Sequence, residues 1–242
     1  MTATTALKRI HAHRLRDVFR SAGWPYKDVL EIDLLAAGLL ERILDSDGHE
    51  WIRVTDAGIE HLAGTRLNNQ QARSAHESLV NKIVETMLRD GRIVWTGLSL
   101  RARVSGKTGD SVRWRMCIPD VFSIRSTSRP EYLEPVVHEI KVSRADLLGD
   151  LKCLDKRQAY LDVGGQCWYV LGCNPKGQAI AEPDEVPTEC GVMLFKNNEL
   201  VVLRMAPRRP VAGFPFHAWM ALAKSAPVRR ADGQCPPQEL LV

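Results

Sequence analysis

Residues 117–141 read CIPDVFSIRSTSRPEYLEPVVHEIK. Two apolar runs, 121–124 and 135–140, have strand character. The segment 125–133 between them holds Ser, Thr, Arg and Pro, the composition of a loop joining antiparallel neighbours. A hairpin centred near Pro130 sets Asp120 opposite residues 139 to 141. Side chains alternate along a strand, so Glu139 and Lys141 share a face, with Val137, His138 and Ile140 on or flanking the other. Asp120, Glu139 and Lys141 then converge at one end of two paired strands. Charges on an apolar sheet are costly unless paired or bound to metal.

Phosphodiester hydrolysis uses such a trio. Two carboxylates are hard oxygen ligands for Mg²⁺ or Mn²⁺, and the ion activates water and offsets charge on the phosphate. A neighbouring lysine orients or deprotonates that water. A surface hairpin with an ion pair is the plainer account of the same residues. The pattern Pro119-Asp120 followed by Glu139-Ile140-Lys141 resembles the PD-(D/E)XK nuclease superfamily.

The flanking sequence agrees with that resemblance. Ser143 opens a helix with a capping-box-like start, and Leu147, Leu148, Leu151 and Leu154 recur at helical spacing until Gly164-Gly165. A further strand, 167–171, follows at once. Upstream, residues 71–89 carry Leu79, Ile83, Met87 and Leu88 at helical intervals. Strand, strand, helix, strand is the superfamily's core order. Residues 139–147 (EIKVSRADL), with Asp150, Lys152, Asp162, 168–170 and 190–193, resemble the MmcB-like group of bacterial DNA-repair proteins, over about residues 71–223.

The resemblance implies metal-dependent action on DNA. It implies that Asp120 and Glu139 hold the ion, that Glu77 on the preceding helix is a further acidic ligand, and that a polar residue on the following helix, Gln158 or Lys152, faces the site. A solvated helix face accounts equally well for Gln158 and Lys152. His138 reads as a core histidine, Asp146 as a cap partner, and His76 is undecided between roles.

Composition narrows the class. The 242 residues carry a formal net charge of +4, which permits nucleic-acid binding without arguing for it. No run approaches the roughly 20 apolar residues of a membrane span, and the start lacks a secretory apolar core. Six cysteines show no metal-like spacing with the seven histidines and read as reduced thiols in a cytoplasmic protein. Gly106-Lys107-Thr108 lacks the full phosphate-loop spacing, so no organic cofactor is expected. Arg101, Arg103, Arg113 and Arg115 alternate along two strand-like runs, 93–104 and 112–116. They are expected to place several guanidinium groups on one face, as a solvated surface or a wall toward DNA phosphates.

The first seventy residues are separate. Residues 6–22 and 27–37 have helical stripes. Residues 38–44 and 51–54 flank Asp47-Gly48, a hairpin turn, and a short helix runs from Thr55 to Leu62. This order resembles a winged helix-turn-helix. Residues 27–37 are acidic (Asp28, Glu31, Asp33), so Arg42, Arg53 and the basic first helix are better suited to phosphates, and dimerisation or docking is the equal alternative. Residues 66–71 read as a polar linker.

The expected architecture is α/β: a winged-helix domain over 1–66, a restriction-endonuclease-like mixed sheet with flanking helices over 67–224, and a loose tail over 225–242. The expected function is divalent-metal-dependent hydrolysis of DNA in repair or defence, with pairing of two copies left open. A non-catalytic DNA-binding or partner-recruiting protein is the rival, and a winged-helix transcription regulator a third reading.

Overall fold

Two short helices, α1 (Arg9–Arg20) and α2 (Val29–Ala36), lead into a hairpin of β1 (Leu40–Leu44) and β2 (Glu50–Val54). The computed structural model describes residues 6–21, 23–106, 111–209 and 213–229. Leu15 and Val18 of α1 meet Leu34 of α2 and Leu39, Leu40 and Ile52 of the hairpin. The acids of the second helix are engaged inside this unit. Asp28 caps α2 by accepting the Glu31 N–H and lies 2.7 Å from Arg14. Glu31 is fully buried and accepts the Tyr26 and Lys27 N–H groups. Asp33 lies 2.9 Å from His11. Arg42 and Arg53 pair with Glu50 at 3.1 Å and Glu41 at 2.7 Å.

A single helix follows, α3 (Asp56–Arg89), 34 residues long. The expected linker at 66–71 is therefore helical, and the two helices expected on either side of it are one. Polarity alone does not break a helix, and no Gly or Pro lies between Gly64 and Gly91. The chain divides into compact units Met1–Arg73 and Ser74–Val242.

The second unit holds β3 (Arg92–Thr96), β4 (Leu100–Ser105), β5 (Val112–Cys117), β6 (Val121–Arg125), β7 (Val136–Lys141), α4 (Arg144–Leu151), α5 (Leu154–Val163), β8 (Gln166–Leu171), β9 (Gly191–Lys196), β10 (Glu199–Arg204) and α6 (Phe216–Lys224). Six strands form one mixed sheet in the order β10-β9-β8-β7-β6-β3. Strands β7, β8 and β9 run parallel, and the other neighbours are antiparallel. Every residue of β7 is buried, as a central strand covered on both faces requires. Leu79, Ile83 and Met87 of α3 pack on one face, against Val121, Ile140 and Val170. Tyr160 and Val163 of α5, the inner side of β4–β5, and Ala218 and Leu222 of α6 belong to the core on the other. Val137 belongs to that second core, so it shares the Glu139 face rather than lying with His138 and Ile140.

Three further expectations change. Residues 93–104 are two strands, because the chain turns at Gly97 (φ +63°), and β4 pairs only with β5. Lys107 and Thr108 lie outside the described residues, as do Cys235 and 230–242 of the tail. The helix expected over 143–163 breaks at Lys152–Cys153, where the Cys153 N–H returns to the Asp150 carbonyl. The four arginines do not share a face. Arg113 and Arg115 sit opposite Val104 and Ala102 and reach Asp155 of α5, whereas Arg101 and Arg103 lie on the outer face, with Arg103 Nε 3.7 Å from Asp162 of α5. Asn197 and Asn198, between β9 and β10, both have the positive φ of a tight hairpin turn. The five described cysteines are free, with Cys117, Cys167 and Cys190 buried. Among the described residues no helix is long and apolar enough to cross a membrane.

Two tests of this architecture follow from close packing and burial. A Cβ at Gly58 would stand 2.3 Å from the Leu39 carbonyl oxygen and 2.6 Å from Val54 Cγ1. Gly58→Ala is therefore expected to destabilise the first unit by about 1–3 kcal/mol in urea denaturation. His138, 1% exposed, has no partner for either ring nitrogen among the described residues, and burial lowers its pKa to about 3. The unfolded chain takes up that proton near pH 6.5 and the fold does not. Stability contributed by the neutral ring is thus present above about pH 6.5 and is lost progressively as pH falls toward 3. His138→Leu is expected to flatten the pH dependence of the thermal midpoint between those limits.

Candidate active site

The register Val121↔His138 between β6 and β7 brings Asp120, one residue before β6, beside Glu139 and Ile140. Asp120 Oδ2 accepts the Ile140 N–H at 2.7 Å. A carboxylate thus takes the place of the next ladder bond and ties the two strands where the antiparallel pairing ends. Its Oδ1 lies 3.4 Å from His76 Nε2, on α3. The Asp120 contact raises the His76 pKa, so the imidazole is drawn toward its cationic form.

Glu139 faces the other way, toward α4 and α5. Its side chain is 4% exposed, and Oε1 lies 2.8 Å from Lys141 Nζ and 2.6 Å from Lys156 Nζ. The Tyr160 hydroxyl is 2.7 Å from Oε2 and 3.1 Å from the Ile118 carbonyl, so its single proton goes to the nearer carboxylate. Lys156 also donates to Asp150, whose other oxygen accepts the Tyr169 hydroxyl at 2.7 Å. Lys141 Nζ lies 3.3 Å from Asp146 and 3.6 Å from Asp150. Two buried carboxylates are therefore matched by two ammonium groups and two phenols.

Electrostatics fix the protonation states. Burial by itself would lower the Lys141 pKa, but the Glu139 carboxylate, with Asp150 and Asp146, outweighs it and holds the group above the usual lysine range. Lys156 is raised against the same burial penalty by Glu139 and Asp150. Burial pushes Asp150 up, yet the Lys156 hydrogen bond and the Lys141 charge bring it below the usual carboxylate value. Burial, then the charge of Glu139, pushes the Tyr160 phenol up. At neutral pH the lysines are donors and not bases.

The structure thus brings Asp120 to the strand end where Glu139 and Lys141 pair, with Asp120 turned toward α3 and Glu139 toward α5, and three other sequence-derived candidates are exposed. Glu77 is exposed on α3, and its neighbour His76 is the side chain that meets Asp120. Gln158 is exposed and lies about 200° round α5 from Lys156, at about 100° per residue. Lys152 is exposed at the α4 C-cap. Asp146 donates its N–H to Ser143 Oγ as expected. Asp150, Lys156, Tyr160 and Tyr169 were not anticipated. The available signal was the spacing of Lys156 and Tyr160, four apart on one helical face.

Mg²⁺ takes one or two carboxylates and keeps several waters, so two carboxylates are a chemically adequate donor set, but Asp120 is turned toward His76 of α3 and Glu139 toward Lys156 and Tyr160 of α5. Among the described residues the group of three ligand side chains whose atoms all lie within 4.8 Å of one another is Asp45, Asp47 and His49, at the β1–β2 tip.

No family model matches the chain, and no curated protein matches it. A solved structure, the SPO1766 protein of unknown function from Silicibacter pomeroyi, is similar at 20% identity over 57% of this chain and 74% of that one, with a TM-score of 0.36.

Tyr160→Phe removes the donor to a buried carboxylate oxygen and is expected to lower unfolding free energy by about 2 kcal/mol. Gln158→Ala is expected to stay within about 0.5 kcal/mol. Urea midpoints of the two variants check the assignment of the α5 face.

Proposed function

We propose that the chain is a divalent-metal-dependent nuclease acting on DNA, with a restriction-endonuclease-like core of PD-(D/E)XK type similar to the MmcB-like group. The observation that carries this reading is that Asp120, held by the Ile140 N–H, and the Glu139–Lys141 pair, 2.8 Å apart, stand at the same end of β6 and β7. When bound by Asp120 and Glu139, an ion such as Mg²⁺ or Mn²⁺ would supply an activated water and offset phosphate charge. The chain's own groups do the rest. Lys141, held protonated, donates hydrogen bonds to a phosphate oxygen or to water and does not accept a proton. Tyr160 and Lys156 hold the Glu139 carboxylate in one orientation, and the Ile140 N–H does the same for Asp120. In this reading the first unit is a winged helix, and DNA contact comes from its basic first helix, because Arg42 and Arg53 are held in cross-strand ion pairs.

One observation favours the rival of a non-catalytic DNA-binding protein. Lys156 Nζ lies 2.6 Å from Glu139 and also contacts Asp150, so an ammonium already bridges two carboxylates beside the proposed metal position. A protein without metal would balance its buried acids in this way.

Mn²⁺ titration followed by electron paramagnetic resonance, beside cleavage of a panel of structured DNAs, separates the two. The nuclease reading expects Mn²⁺ binding that is lost in Asp120→Asn. It also expects cleavage reduced by about 10²–10³-fold in Lys141→Met, with the circular-dichroism spectrum unchanged. Full cleavage by both variants, or no cleavage of any substrate with Mn²⁺ present, defeats it.

A further inference from the structure

On the β4–β5 hairpin the residues at alternate positions divide sharply. Leu100, Ala102 and Val104 are buried against the core. The opposite face carries Arg101 and Arg103 on β4, paired in register with Met116 and Trp114 on β5. Val112 and Ile118 continue the same alternation on either side. Val112, Trp114, Met116 and Ile118 are 66%, 51%, 53% and 57% exposed. Four large apolar side chains in a row along one exposed strand form a patch that folding does not require.

The aromatic centre of the patch is held in place although it is half exposed. The Arg101 guanidinium lies 5.2 Å from the Trp114 ring centroid, and the His217 ring meets Trp114 edge-on at 4.9 Å between centroids. His217 Nε2 in turn lies 3.0 Å from the Arg101 carbonyl oxygen. Phe216, the first residue of α6, is 78% exposed beside it.

We infer that this outer face of β4–β5 is a platform on which single-stranded DNA lies on its way to the proposed site. The inference rests on the nuclease reading for the choice of DNA. Charge and shape supply the rest. Aromatic rings and guanidinium planes stack bases, and outward cations take phosphates. A duplex hides its bases and presents phosphate rows, which calls for many cations; here Arg101, and Arg103 with its Nε 3.7 Å from Asp162, accompany four apolar side chains. Unpaired bases fit that ratio. The strip also leads toward the site along the chain. From Trp114 the chain passes through Met116 and Ile118 to Asp120, six residues that span at most about 20 Å. The Ile118 carbonyl is 3.1 Å from the Tyr160 hydroxyl that holds Glu139.

The test uses the full chain in EDTA, so that no outcome depends on cleavage. Fluorescence anisotropy with a labelled oligothymidylate of about 20 nucleotides, and with a duplex of the same length, gives the two affinities. The platform predicts tighter binding of the single strand, with a log–log salt slope of about −1.4 for two phosphate contacts. Trp114→Ala is expected to weaken single-strand binding by about tenfold or more, and Trp114→Phe to retain most of it. Equal affinity of Trp114→Ala and parent, or preference for the duplex, overturns the platform. So does loss of self-association in Trp114→Ala with no oligonucleotide bound, which makes the strip a protein contact. Strand binding through Trp114 in a chain that cuts nothing upholds the platform and removes the nuclease reading.

Discussion

A carboxylate that is 3% exposed in the middle strand of a sheet governs this half of the molecule. A buried carboxyl group calls for donors on both oxygens, since an unpaired buried polar group or charge is costly. The surrounding chain is arranged to supply them. Lys141 comes from the same strand two residues on. Lys156 and Tyr160 come from α5, and they can reach only because α5 lies across the sheet face that carries Glu139. Asp150 and Tyr169 then answer the charge that Lys156 brings. Removing any one of these groups leaves another without its partner.

Much of the second unit was legible from local pattern. The apolar runs around a Pro-containing loop, the Ser143 cap and the Asn197-Asn198 turn are short-range signals, and each appears where its chemistry places it. Asp120 reaches the strand end that carries Glu139 and Lys141 because a hairpin with a known alternation leaves few other outcomes. What could not be read is of another kind. Lys152–Cys153 contains no breaker residue, so nothing in the sequence splits the helix after β7, and the inward turn of Lys156 depends on that split. Residues 66–71 look like a loop because they are polar, yet a long helix tolerates polar residues wherever it is solvated. Gln158 and Glu77 were chosen from a resemblance. Helical phase places Lys156 with Tyr160 instead, and His76 meets Asp120.

The arginines of β4–β5 illustrate the same limit. Alternation along one strand predicts a shared face, but whether two strands present theirs together depends on their register. Here Arg101 and Arg103 oppose Met116 and Trp114, so the two arginine rows fall on opposite sides of the hairpin. One row pairs with Asp155 on α5, and the other shares its face with apolar side chains, where Arg103 also lies 3.7 Å from Asp162 of α5. Basic residues spaced evenly in sequence thus fall into different surroundings.

The tie between Asp120 and the Ile140 N–H has a bearing on mutational drift in this fold. A one-residue slip of β7 would exchange Glu139 with a neutral imidazole, present the carboxylate to the apolar underside of α3, and break the Asp120 tie in the same motion. Changes to the 126–135 loop that preserve the pairing frame are therefore tolerable, whereas a single insertion inside either strand scrambles charge and packing together. The arrangement of groups around Glu139 and the integrity of the sheet would be inherited or lost as a unit.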